Sequence, residues 1–161
     1  MTIITWSNIF EAGAAEVPQL FGDFIEAESL GKQCVVLALS MQKLDDKTRN
    51  AIDKSMVALG FGEESCTYAT VQPNGCENAL NDTPLDARAL FLLVEGLDPL
   101  CIIATDRQTV DLLNAAYRTE FQVDATVRVF GRPSVAFENL SALLETDAGK
   151  QKAWALFKTL R

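Results

Sequence analysis

A chain of 161 residues, 48% hydrophobic and 22% charged, has the size and composition of one ordinary globular domain, able to bury roughly 70% of its unfolded surface. These values exclude a fibrous or disordered chain, and runs such as Ala89 to Val94 fall far short of the roughly 20 apolar residues of a membrane-spanning helix. The formal net charge of −8 argues against general binding to nucleic acid, because such affinity comes mostly from neutralising phosphates.

In chain order, Met1 to Trp6 puts no positive charge ahead of an apolar run, so no secretory signal is expected and the cytoplasm is the expected compartment. Residues 1–31 carry Glu11, Glu16, Asp23, Glu26 and Glu28 and no Lys or Arg, the pattern of a solvated acidic face. Val17, Leu20, Phe21, Phe24 and Ile25 recur at helical spacing, with Pro18 near the start and Gly31 at the end. They predict an amphipathic helix over about 14–30, added to a single domain covering 1–161.

Cys34 to Leu39 is a short continuous apolar run, as in a parallel strand buried on both faces. Asp45 offers a cap for a helix bearing Ile52, Met56 and Leu59, which Gly60 and Gly62 end. Cys66 to Val71 reads as the second strand, and a polar loop follows from Pro73 to Asp82. Thr83 and Pro84 then predict a helix from Pro84 to Glu95, apolar almost all round and ended by Asp98-Pro99.

Leu100 to Ala104 reads as a third buried strand, leading through Thr105-Asp106 into a capped helix with Val110, Leu113, Ala116 and Tyr117 on its apolar side. Thr126 to Phe130 and Ser134 to Phe137 are short strands around Gly131-Arg-Pro133. A closing helix bears Trp154, Phe157 and Leu160, with Trp154 expected inside. This alternation predicts an α/β fold: a three-layer α/β/α sandwich with a central, mostly parallel sheet of about four strands, the first at its centre.

Chemistry-bearing motifs are sparse. The chain has no histidine, which removes the commonest general base, the commonest metal ligand and every Ser-His or Cys-His pair. Cys34, Cys66, Cys76 and Cys101 form no Cys-x-x-Cys pair, so they are expected reduced and structural, with no metal and no cofactor. Gly60-Phe-Gly62 follows a helix instead of a strand and so is a helix stop, not a dinucleotide loop. Asp45-Asp46 fits helix capping better than paired catalysis, and Glu63-Glu64 reads as a solvated turn.

Taken together, Cys34 to Arg161 resembles the small, family-four-like branch of the uracil-DNA glycosylase superfamily. The resemblance rests on the first strand CVVLALS, the helix closing on Leu59-Gly60-Phe61, and the second strand ending at Thr70. It also rests on the segment from Thr83 to Tyr117, and on Asn139-Leu-Ser-Ala-Leu143-Leu144 followed by Lys150, Trp154 and Leu160. It implies a uracil-DNA glycosylase-like fold with a pocket at the carboxyl ends of the strands, lined by Ser40, Met41, Gln42, Thr70 and Asn139.

The catalytic motifs are not retained. Ser40-Met41-Gln42 stands where the family has its water-positioning acid, Thr70 where it has a uracil-reading asparagine, and Asn139 where it has a histidine. The four iron-sulfur cysteines of the branch are also missing. The resemblance therefore implies a pseudoenzyme that acts through an unknown protein partner or ligand, linked to DNA replication or repair. A similar inactive scaffold is the psi subunit of the bacterial replicative clamp loader. The alternative is a divergent DNA glycosylase excising a damaged or deaminated base.

Overall fold

The computed structural model describes residues 21–26, 34–73 and 83–161. Five strands, β1 (Val36–Ser40), β2 (Cys66–Thr70), β3 (Cys101–Ala104), β4 (Ala125–Val129) and β5 (Arg132–Ala136), form one sheet in the order β2-β1-β3-β5-β4. β1 runs parallel to both β2 and β3, β3 runs parallel to β5, and only β4 is antiparallel to its neighbour. The expected four parallel strands are present, with β4 added at one edge. The middle position belongs to β3, not β1, because β4 and β5 both lie beyond β3.

β1, β2 and β3 are buried at every position, which is why each reads as an uninterrupted apolar run rather than as an alternation. Their side chains still divide between two cores. Leu37, Leu39, Ile102 and Ala136 face one side, with α2 (Ala87–Leu97), α3 (Arg107–Tyr117) and Phe21, Phe24 and Ile25 packed on them. Val36, Ala38, Ile103, Val135 and Phe137 face the other, covered by α1 (Asp46–Ala58), α4 (Leu140–Leu143) and α5 (Asp147–Phe157). A short 3-10 turn, Lys158–Leu160, follows and buries Leu160. The result is a sheet with helices on both faces.

The helix starts follow from local chemistry. Asp45, Asp86 and Asp106 each accept a hydrogen bond from the backbone amide three residues on, at 2.9, 2.7 and 2.8 Å. α2 therefore starts at Ala87 and not at Pro84: Asp86 is its cap, while the amide of Leu85 is still bonded to Val71 O. The predicted stop at Asp98 is present, with Asp98 in the left-handed region as the C-cap.

Three other expectations need correction. Most of the helix expected over about 14–30 lies outside the described residues, but the part within them leaves the helix after Phe21. It turns, and Ile25 then pairs antiparallel with Ala69 on β2. Trp154 is 37% exposed, since the stripe that α5 buries runs through Gly149, Ala153 and Phe157, and Trp154 lies about 100° around from Ala153. The strand β5 begins at Arg132, so Gly131 belongs to the turn and Pro133 to the strand.

No helix among the described residues is long and apolar enough to cross a membrane. Cys34, Cys66 and Cys101 are buried free thiols, and Cys76 lies outside the described residues. Burial pushes the Cys66 and Cys101 thiols up to about 12.

Candidate functional site

Open α/β sheets bind ligands beyond the carboxyl ends of their strands, at the point where successive connections leave in opposite directions. Here β1 connects outward to β2, while β3 connects the other way, to β4 and β5. The switch point therefore lies between the ends of β1 and β3. Ser40 and Thr70 are register partners at the ends of β1 and β2. Asn139, just past β5, pairs with Asp106, just past β3. All five expected pocket residues thus gather along one sheet edge, although β3 intervenes and separates Asn139 from Ser40 by roughly two strand spacings, about 10 Å.

Most of their polar atoms are engaged within the chain. The Ser40 hydroxyl donates to Gln42 O at 2.7 Å and the Thr70 hydroxyl to Gln72 O at 2.5 Å, each closing its own turn after a strand. Gln42 donates to the side chain of Gln72 at 3.2 Å. Asn139 is the cap of α4, its side-chain oxygen accepting from Ala142 N at 3.1 Å. These are the roles that Ser, Thr and Asn commonly play where a strand hands over to a turn or helix.

Asp106 is the residue that sequence reasoning placed only as a cap. One carboxylate oxygen caps α3 through Thr109 N, and the other accepts the amide of Met41 at 3.0 Å across 65 positions of sequence. Beside it, the buried Thr105 hydroxyl donates to Leu39 O at 3.0 Å, and Thr105 N bonds the same carbonyl. The crevice between β1 and β3 is thus laced by the chain's own groups, with an aspartate on a loop amide that could otherwise hold an anionic ligand group. Asp45 clips the other side of the loop, accepting from Ser141 at 3.3 Å. The Thr48 hydroxyl and amide hold the Asp45 carboxyl below the usual aspartate value. Farther along the edge Arg107 pairs with Glu138 at 2.5 Å, and Lys152 with Asp124 at 3.4 Å.

At the opposite end of the sheet is a feature that sequence reasoning missed. β4 and β5 are joined by Phe130 and Gly131, both with positive φ, 51° and 81°. A two-residue turn of this kind suits glycine or asparagine, and a bulky aromatic there is strained. Phe130 is nonetheless 65% exposed, with its ring edge-on to Tyr117 at 4.8 Å and to Phe91 at 5.7 Å. The three rings border a groove of about 680 Å³ between α2 and α3, with Arg88 and Arg118 at its margins. Tyr117 is fixed from below: its hydroxyl donates to Glu95 at 2.8 Å, and Arg132 grips the same carboxylate at 2.9 and 3.1 Å. The Glu95 carboxylate holds the Arg132 guanidinium above its ordinary value.

Among the described residues, no group of three or more Cys, Asp or Glu side chains is placed to hold a metal ion. No protein-family model matches the chain, and no curated protein matches it.

Proposed function

We propose that this chain is a uracil-DNA glycosylase-like scaffold that works by binding a partner or ligand, in DNA replication or repair, and not by cleaving a glycosidic bond. The observation that carries the reading is the lacing of the switch-point crevice. Asp106 occupies the Met41 amide, Thr105 bonds Leu39 O, and the Ser40, Thr70 and Asn139 side chains close turns or cap a helix. Excision of uracil needs a positioned water and charge stabilisation of the departing anion. A neutral amide at Asn139 supplies little of the latter, and loss of one such donor typically costs about a hundredfold or more in rate.

One observation favours the alternative of a divergent glycosylase. Asp106 brings a carboxylate to the backbone just beyond β1, where the resemblance places an acid, and with three bonds made, from Met41 N, Thr109 N and the Thr105 hydroxyl, that carboxylate keeps a lone pair for a water. Single-turnover cleavage of uracil-containing single- and double-stranded oligonucleotides, with protein in excess, separates the two. The scaffold reading expects no product above background. Stoichiometric product, lost in both Asp106→Asn and Asn139→Ala, would establish the enzyme instead.

A further inference from the structure

We infer that the groove between α2 and α3 is a docking site for a linear acidic peptide segment with an aromatic or large aliphatic anchor. This deepens the scaffold reading, on which it rests, by naming the kind of partner.

Phe130 is the residue that stands out. An exposed phenylalanine in the left-handed region is unfavourable both for its backbone and for its surface, and Gly131 beside it shows the residue such a turn prefers. Strain of this kind, carried by an exposed aromatic, is a mark of binding sites. The ring faces a groove whose floor is held in place from beneath by the Tyr117–Glu95–Arg132 bonds. A ligand would therefore meet a surface that needs little further ordering. At about 680 Å³ the groove is within the usual size of ligand pockets, and Ala116 leaves it open between the rings.

Charge selects the occupant. In a chain of net charge −8, the groove is flanked by two exposed arginines, Arg88 and Arg118, neither of which forms an ion pair among the described residues. A third, Arg128, donates to Gly131 O at 3.0 Å and so holds the turn that presents Phe130. An apolar anchor would seat among the rings, with carboxylates on either side reaching Arg88 and Arg118. A nucleic-acid strand fits less well. Two flanking cations neutralise few phosphates, and the remaining acidic surface repels a long polyanion.

The test is selection of a random dodecapeptide phage library on the whole chain, followed by fluorescence anisotropy of the enriched peptides made synthetically. A labelled thymidine oligonucleotide is titrated in parallel. Enriched peptides should place Asp or Glu next to Phe, Trp or Leu. Phe130→Gly, which keeps a turn-compatible residue, and the double variant Arg88→Glu with Arg118→Glu should each weaken binding by at least about tenfold. Their melting temperatures verify folding, and Lys47→Glu, on α1, should leave binding unchanged. The inference is overturned if no peptide is enriched, if enriched peptides lack carboxylates, or if both groove variants bind like the parent. It is also overturned if the oligonucleotide binds and is the ligand those variants lose. Uracil excision is measured on the same preparation. Failure of peptide binding without excision removes only the groove assignment, whereas excision removes the scaffold reading.

Discussion

Gly149 lies in the first turn of α5, where alanine would ordinarily raise stability by about 1 kcal/mol through helix propensity. The packing here reverses that sign. A Cβ at this position would lie 1.8 Å from Leu143 O and 2.9 Å from the Thr146 hydroxyl oxygen, against the 3.4–4 Å of ordinary contact. The shortfall from 3.4 Å to 1.8 Å, about 1.6 Å, falls on a backbone carbonyl, so it must be met by moving α4 against α5. Overpacking of this kind costs about 1–3 kcal/mol. Disturbing the Thr146 cap, which accepts from Gly149 N at 3.0 Å, adds about 1 kcal/mol and roughly cancels the propensity gain. Gly149→Ala should therefore destabilise by about 1–3 kcal/mol, a fall in melting temperature of roughly 2–12 °C for a chain of this size. Urea unfolding followed by circular dichroism measures the free energy, and Thr146→Ala alone isolates the cap. A Gly149→Ala variant as stable as the parent, or more so, would refute the close approach of α4 to α5.

Asp106→Ala removes a cap and strands the Met41 amide, so a loss of about 2–3 kcal/mol is expected in the same assay, with Asp106→Asn losing less because its amide oxygen keeps one bond. Arg132→Met leaves the half-buried Glu95 without its cation and should cost about 1–2 kcal/mol, tempered by partial solvent access and by the remaining Tyr117 bond. Cys66 and Cys101 should resist iodoacetamide at pH 8 in the folded chain and react once it is unfolded, as read by mass spectrometry. Both thiols hold their protons to about pH 12 when folded and to about pH 9 in the ordinary case. The unfolded chain therefore loses protons first, and stability should fall as pH rises from about 9 towards 12. Cys66→Ala with Cys101→Ala should flatten that decline.

The strands were readable because a sheet buried on both faces admits little but apolar side chains, so CVVLAL and LCIIA mark themselves without periodicity. Asp45 and Asp106 were readable as caps because a cap is a local bond, decided within three residues. Local signals mislead where they are ambiguous or where a distant partner decides. Thr83-Pro84 resembles a helix start, but Asp86 three positions on makes the actual cap. Trp154 shares spacing with Phe157, yet α5 turns the Gly149–Ala153–Phe157 line inward because the close approach to Leu143 admits only glycine there. Phe24 and Ile25 fit a helical stripe and pair with β2 instead.

The candidate site shows the same division. That Ser40, Thr70 and Asn139 would share an edge follows from strand order alone. That Asp106 would reach Met41 does not, since the bond spans 65 residues. Phe91, Tyr117 and Phe130 each read locally as a core or strand residue, and only the tertiary fold sets them around one groove.

The pairing of Ile25 with Ala69 has a consequence for how the chain behaves in solution. β2 is an outermost strand, and its free backbone groups are met by Glu26 N, which donates to Tyr68 O at 3.0 Å, and by Phe24 O, which accepts from Thr70 N at 2.7 Å. An ion pair between Glu26 and Arg49 pins this short segment to α1. Phe24 to Glu26 thus act as a seal against a second molecule adding its own strand there. A chain shortened past Glu26 would lose this seal together with the core contacts of Phe21, Phe24 and Ile25, and it is expected to self-associate, edge to edge at β2, where the intact chain is closed. Solubility would then depend on three residues that contribute nothing to the crevice or the groove.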